Sequence, residues 1–171
     1  MQYRGAKEVK KNMDSILATL HAFFAKKENV YGIHIERAST KDTLIVTAKS
    51  FYATFPNTPV VYSLIQKIQD FIKAKGAAQT GNPIFNVTPF PNGKFQLLCA
   101  VPIEKTITGN DQFSVKHMVR GSFMVAEVVG GDSTVKKAIQ SLHQYFEDYH
   151  KTAMAINYTM LITDRMYQPD T

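Results

Sequence analysis

Apolar positions recur along this chain with a helical period in three places, separated by stretches that alternate or run continuously apolar. Within residues 5–28, Val9, Met13, Ile16, Leu17, Leu20, Phe23 and Phe24 fall on one side of a helix, a stripe expected to pack against the rest of the molecule. Asn29 and Gly32 interrupt it, and Tyr31, Ile33 and Ile35 then alternate with His34 and Glu36 as a half-buried strand does. After a turn signal at Lys41-Asp42, the β-branched run 44–47 continues through Phe51 and Phe55 as a second strand. Pro56, Asn57 and Pro59 stop it, and Thr58 before Pro59 reads as an N-cap with proline in the first turn. Val61, Leu64, Ile65, Ile68, Phe71 and Ile72 mark the buried stripe of a helix over 58–75, closed by Gly76. Two strands, Ile84–Phe90 and Lys94–Ile103, flank Pro91-Asn92-Gly93, where Asn-Gly tolerates positive φ and signals a hairpin. Past a polar connector at 108–111, residues 113–129 read as strand and Gly130-Gly131 as a turn. Asp132 or Ser133 then caps a helix over 132–150, and a last strand covers 155–163.

The second and third helices superimpose with an offset of 74 residues: Val61 on Val135, Ile65 on Ile139, Gln66 on Gln140, Ile68 on Leu142, Phe71 on Tyr145 and Ile72 on Phe146. A unit repeated once is expected to pack about a pseudo-twofold axis, with a cleft at the seam. The predicted organisation is a helical lead-in over 1–29, a first copy over about 43–103 and a second over about 112–171. The fold class is α+β, with duplicated βαββ units forming an antiparallel sheet, two helices packed on one face, and an additional N-terminal helix. Carried through the offset, the counterpart of residues 95–102 begins near 169, so the second copy is expected to lack its final strand. That leaves a neighbour with an unpaired edge, and the expectation is either a sequence cut short or a half completed by the N-terminal segment or by another chain, such as a second copy in a homodimer.

Composition narrows the class. With 171 residues and 44% hydrophobic content the chain can bury a core. No apolar run is long enough to span a bilayer and no leader pattern opens the chain, which fits a cytoplasmic location. The single cysteine, Cys99, excludes an internal disulfide framework and reads as a core residue of an apolar strand. The net charge of +6 invites a nucleic-acid reading. Most of it, however, lies in residues 1–27, where Lys7, Lys10 and Lys11 occupy the solvent side of the first helix, and no recognition-helix, zinc-finger or RNA-binding signature accompanies it.

Glu147 and His150 reproduce a Glu-x-x-His spacing, with His143 one turn earlier, but no other helix supplies matching metal ligands and all three lie off the apolar stripe. No nucleophile elbow, P-loop or dinucleotide fingerprint is present, so neither covalent catalysis nor a cofactor is indicated. Asn86 and Asn157 match the glycosylation pattern within predicted strands. The candidate site is the seam, where Phe51, Tyr62, Phe85, Tyr145, Tyr149 and Tyr158 supply aromatic walls and Glu127 a carboxylate. Apolar walls with few polar groups suit a small hydrophobic or amphipathic molecule, and a carboxylate among aromatics favours a cation. Strand parity places Glu127 on the side of Val125, where as an inward carboxylate it would need a partner such as Lys49 or a ligand cation.

The doubled unit, with Thr-Leu-Ile-Val-Thr-Ala-Lys at 43–49, Pro-Asn-Thr-Pro at 56–59, Cys-Ala-Val-Pro-Ile at 99–103 and Met-Val-Ala-Glu-Val-Val-Gly-Gly at 124–131, resembles the GyrI-like effector-binding domains, over about residues 30–171. That family includes the drug-sensing half of some bacterial transcription activators. The resemblance implies two βαββ copies with an aromatic cleft at the pseudo-twofold axis, and in some members a hydrophobic cation met by a glutamate that precedes the proline of the final strand. In the first copy the matching place, four residues before Pro102, holds Leu98, so that role does not transfer. Three functions are expected: a non-catalytic small-molecule-binding module first, then a small-molecule hydrolase using Glu127 or Tyr158, or an interaction domain that accepts a strand at an open edge.

Overall fold

The computed structural model describes residues 2–40 and 43–168, with side chains described from residue 5 onward. The Lys41-Asp42 turn and the expected strand start near residue 169 therefore lie outside the described residues. Elements run in the order α1 (Gln2–Phe24), α2 (Lys27–Tyr31), β1 (Glu36–Ser39), β2 (Leu44–Tyr52), α3 (Thr58–Ala74), β3 (Ile84–Phe90), β4 (Lys94–Ile103), β5 (Ser114–His117), β6 (Ser122–Val125), α4 (Asp132–Asp148) and β7 (Thr159–Met160). The architecture is α+β and antiparallel throughout, as the period-two runs between amphipathic helices require.

The first half carries the core. β4 runs antiparallel to β2 along its whole length, from Leu44 opposite Ile103 to Tyr52 opposite Phe95, and antiparallel to β3 on its other edge. β5 and β7 extend this sheet to the order β5-β2-β4-β3-β7. Its inner face presents Val46, Ala48, Leu97, Cys99, Val101 and Ile103 to α3, which answers with Val61, Leu64, Ile65, Ile68 and Ile72, all buried. Each such aliphatic side chain contributes about 1.5–3 kcal/mol by leaving water, so this interface dominates stability. The hairpin forms where Asn-Gly predicts it: Asn92 and Gly93 both take positive φ, 63° and 70°, and bring Phe90 opposite Lys94.

The second half is looser, and most departures from the sequence reading fall in it or at its junctions. The stretch 113–129 divides into β5 and β6, which join different sheets: β5 adds to β2, while β6 pairs with β1 in a two-stranded sheet. Thr40 marks the division, since its hydroxyl donates to the carbonyl of Val119 at 2.8 Å and accepts from the amide of Gly121 at 2.8 Å. The strand expected over 155–163 is reduced to Thr159–Met160. At the other end, the expected strand at Tyr31 begins only at Glu36, because a second short helix, α2, includes Tyr31 and ends on Gly32 at φ 68°. Tyr31 instead packs edge-on against Tyr145 at 5.4 Å and donates a hydrogen bond to Asp148 at 2.9 Å, fastening α2 to the C-terminal end of α4.

The stripe of α1 does not pack against the rest: Val9, Met13, Ile16, Leu17, Leu20, Phe23 and Phe24 are all exposed. The helix forms with the expected amphipathic period, but the burial that the period predicts does not occur. Among the described residues, no helix is long and apolar enough to cross a membrane.

Candidate functional site

The N-termini of α3 and α4 meet, and the seam is built there. The cap of α3 is Asn57 rather than Thr58; its side chain accepts from the amide of Val60 at 3.2 Å, and Pro59 falls in the first turn. Thr58 is thereby released, and its hydroxyl donates to Oδ1 of Asp132 at 3.0 Å. Asp132 likewise does not cap its own helix. The N-cap of α4 is Gly131, without a side-chain cap bond, preceded by Gly130 at φ 153°, where a Cβ would strike Thr134. Thr58 and Asp132 are separated by 74 residues, the offset of the sequence repeat, so two corresponding positions touch one another.

The third participant comes from the segment after β7. Arg165 places Nη2 3.0 Å from Oδ1 of Asp132, with 12% of the arginine side chain exposed against 53% of the aspartate. Its Nε is buried without a hydrogen-bond partner. Tyr62, one turn into α3, holds the same segment: its hydroxyl accepts from the amide of Arg165 at 2.9 Å and donates to the carbonyl of Thr163 at 3.4 Å. Lys136 of α4 lies 4.8 Å from the ring centre of Phe55, adding a cation–π contact across the seam.

Two concavities flank this junction. A small cavity of about 30 Å³ is lined by Phe55, Thr58, Tyr62, Phe85, Asp132 and Arg165 with their neighbours, room for about one water. An open groove of about 550 Å³ runs between α3 and residues 161–166, with Tyr62, Gln66, Gln69, Pro83, Ile162 and Asp164 among its walls. Tyr62 and Leu161 border both.

Of the seven residues selected from the sequence, Tyr62 and Phe85 therefore reach the seam cavity together. Phe51 lies elsewhere on the sheet, against Phe90 with ring centres 4.8 Å apart. Tyr145 and Tyr149 pack on each other at 4.7 Å at the far end of α4, beside Tyr31 and Lys27. Tyr158 faces Phe123 at 6.1 Å, and its removal from water raises its pKa above the usual tyrosine value. Glu127 follows the end of β6 and is exposed, not buried as its parity predicted, because β6 stops at Val125 and alternation ends with it. His143 and Glu147 are exposed on α4, and His150 is exposed just past its end.

Phe55, Thr58, Asp132 and Arg165 line the seam cavity without having been expected at the site from the sequence. A signal existed for two: Thr58 and Asp132 are equivalent under the repeat, and equivalent residues near a twofold axis are the ones that can meet. Arg165 carried none, since nothing in the local pattern aims an arginine in an irregular segment at a helix terminus.

Among solved structures, the chain is similar to the C-terminal domain of EcmrR, with a TM-score of 0.56 and 13% identity over 68% of this chain and 75% of that one. It is also similar to EcmrR in a cryo-EM structure of an EcmrR–DNA complex, with a TM-score of 0.60 and 14% identity over 86% of this chain. The chain spans 56% of the EcmrR chain in that complex. Neither a protein-family model nor a curated protein matches the sequence. At these identities the likeness is one of fold, and it is the fold that the resemblance to GyrI-like effector-binding domains implies.

Proposed function

We propose that this chain is a non-catalytic effector-binding module, taking a small hydrophobic or amphipathic molecule in the groove beside Tyr62. The observation that carries the reading is the convergence of two helix N-termini, an aromatic pair and the 161–166 segment on one junction bordered by an open groove. A volume of about 550 Å³ falls in the range of small-molecule sites, and its walls combine apolar side chains with a few fixed polar groups. The fold shared with the C-terminal domain of EcmrR supports a regulatory role of this kind. A cationic ligand fits best, because Asp164 lines the groove, and Asp132, against which the chain's own guanidinium lies, lines the small cavity on the other side of Tyr62.

The test is a thermal-shift panel of apolar compounds that includes lipophilic cations. A ligand present at about 100 times its Kd adds about 2.7 kcal/mol to stability. The shift should shrink in Tyr62→Ala at matched ligand concentration. A panel without any hit, or hits indifferent to Tyr62→Ala, would overturn the assignment of the site.

A further inference from the structure

α1 stands clear of the fold. Every residue from Gly5 to Lys26 is exposed, and the helix is tied to the body at its C-terminal end, where Asn29 of α2 donates to the carbonyl of Phe23 at 3.0 Å. Its 23 residues extend about 34 Å. The seven apolar residues of its stripe, from Val9 to Phe24, are between 46% and 60% exposed, whereas the stripe of α3 is buried. A contiguous apolar row of this size, left in water by an otherwise packed fold, marks a surface that something else covers.

The shape of the stripe selects the cover. It spans about 120° of the helix, from Phe23 on one side to Leu17 on the other. In heptad terms Ala6, Met13 and Leu20 fall at a, and Val9, Ile16 and Phe23 at d, which leaves Leu17 and Phe24 at e, outside a two-stranded seam. The remaining e position holds Lys10, and the g positions hold Gly5, Asn12 and Thr19, so no pair of opposite charges fixes a second copy alongside. A flat apolar medium takes the whole width instead, Leu17 and Phe24 included. Charge identifies the medium. Residues 1–27 hold six lysines and arginines against Glu8 and Asp14, four of the chain's six net positive charges. Lys10 flanks the stripe beside Leu17, where its stem can follow the apolar boundary while its ammonium stays in water, and Lys26 closely follows the edge-on ring pair of Phe23 and Phe24. Lys7 and Lys11 add positive charge on the opposite face.

We infer that α1 is a membrane-surface anchor, lying in the plane of an anionic lipid bilayer with its apolar stripe at the acyl boundary and its lysines among the headgroups. Among the described residues no helix is long and apolar enough to cross a membrane, so α1 lies on the bilayer rather than through it. Burial of the stripe and attraction to anionic lipid act together, and each lysine near the surface strengthens binding roughly fivefold. No rearrangement of the body is required, since the stripe is already exposed and α2 joins the helix to the rest of the chain at one end only.

The experiment mixes the whole chain with vesicles of phosphatidylcholine alone and with vesicles that also contain phosphatidylserine. The bound fraction is read by co-sedimentation, and amide hydrogen exchange is followed along α1. The chain should bind the phosphatidylserine vesicles, less tightly as salt is raised, with exchange slowed from Val9 to Phe24. Lys10→Gln, Lys11→Gln and Lys26→Gln together should weaken binding roughly fivefold per lysine. Ile16→Gln with Leu20→Gln should abolish it at unchanged Tm, because both side chains are exposed in the folded chain. Three results overturn the inference. The first is no binding to the phosphatidylserine vesicles. The second is binding that is equal on phosphatidylcholine alone or indifferent to the Ile16 and Leu20 substitutions. The third is protection of α1 without lipid that grows with protein concentration and vanishes in the Ile16 and Leu20 variant, which makes a second copy the occupant.

Discussion

Single residues in this fold are set by whether they are covered. Cys99 is fully buried in the middle of β4, and burial pushes its thiol pKa up to about 12, so almost none of it is thiolate at neutral pH. Thiol reagents should therefore label it only at the rate of global unfolding, and fast labelling of the native protein would contradict that placement. Tyr31 moves in the same direction: desolvation, reinforced by its hydrogen bond to Asp148, raises its pKa to about 12. A phenol whose pKa is higher folded than unfolded stabilises the fold fully below about pH 10 and loses that contribution as pH rises toward about 12. Urea unfolding should show the native chain losing more stability across this window than Tyr31→Phe, and parallel losses would remove the residue from the account. Arg165 is the functional counterpart. Replacing it with methionine keeps the segment's apolar reach, removes the unpartnered buried Nε and frees Asp132. If a cation is the ligand, Arg165→Met should bind it several-fold more tightly in the thermal-shift panel; unchanged or weaker binding would mean that the guanidinium does not compete for the site.

Elements show which patterns carry information in sequence and which do not. The stripe of α3 and the alternation of β4 were legible because both faces of their interface belong to adjacent parts of the chain, so period translates directly into burial. The stripe of α4 has the same period and the same residue classes, but its cover is incomplete, and no local pattern reports what lies opposite a helix. α1 is the extreme case, with an apolar stripe and exposed side chains throughout. The seam was legible in outline, since the repeat nominated it and both Tyr62 and Phe85 reach it. Its charged members were not, because Asp132 and Arg165 meet through tertiary placement at 3.0 Å across 33 residues. Paired truncations separate the two helices. Ile68→Ala, at a fully buried position, should cost about 2–5 kcal/mol. Leu142→Ala, its half-buried equivalent, should cost well under half as much, and equal costs in denaturant titrations would show that α4 is covered as completely as α3.

At the scale of the whole molecule, β5 is fixed to β2 and Phe113 stacks on Phe71, but the part made of β1, β6 and α4 shares few ties with the five-stranded sheet. β7 pairs with β3 over only Ile84 with Met160 and Phe85 with Thr159, and the remaining links include Thr58 and Arg165 to Asp132, Asn86 to Asn157, and Tyr62 to residues 163 and 165. Polar links at half-exposed positions are each worth about 1 kcal/mol or less, against the large apolar interface between α3 and the five-stranded sheet. Stability should therefore be graded, with β1, β6 and α4 opening while β2, β4 and α3 remain folded. Native-state hydrogen exchange against denaturant reads this directly. The amides of Val46 and Val101 should exchange only through global unfolding, and those of Phe123 and Leu142 through an opening of lower free energy. Asp132→Ala, which cuts both Thr58 and Arg165 from α4, should lower that opening further while leaving the amide of Val101 changed by no more than the global loss. Exchange of Phe123 at the same free energy as Val101 would instead mean that the two sheets unfold as one unit. A ligand bridging Tyr62 and the 161–166 segment should close the gap from the other side, raising protection at Leu161 and along α4 before it raises protection in β4, because the energy it adds enters at the weaker junction.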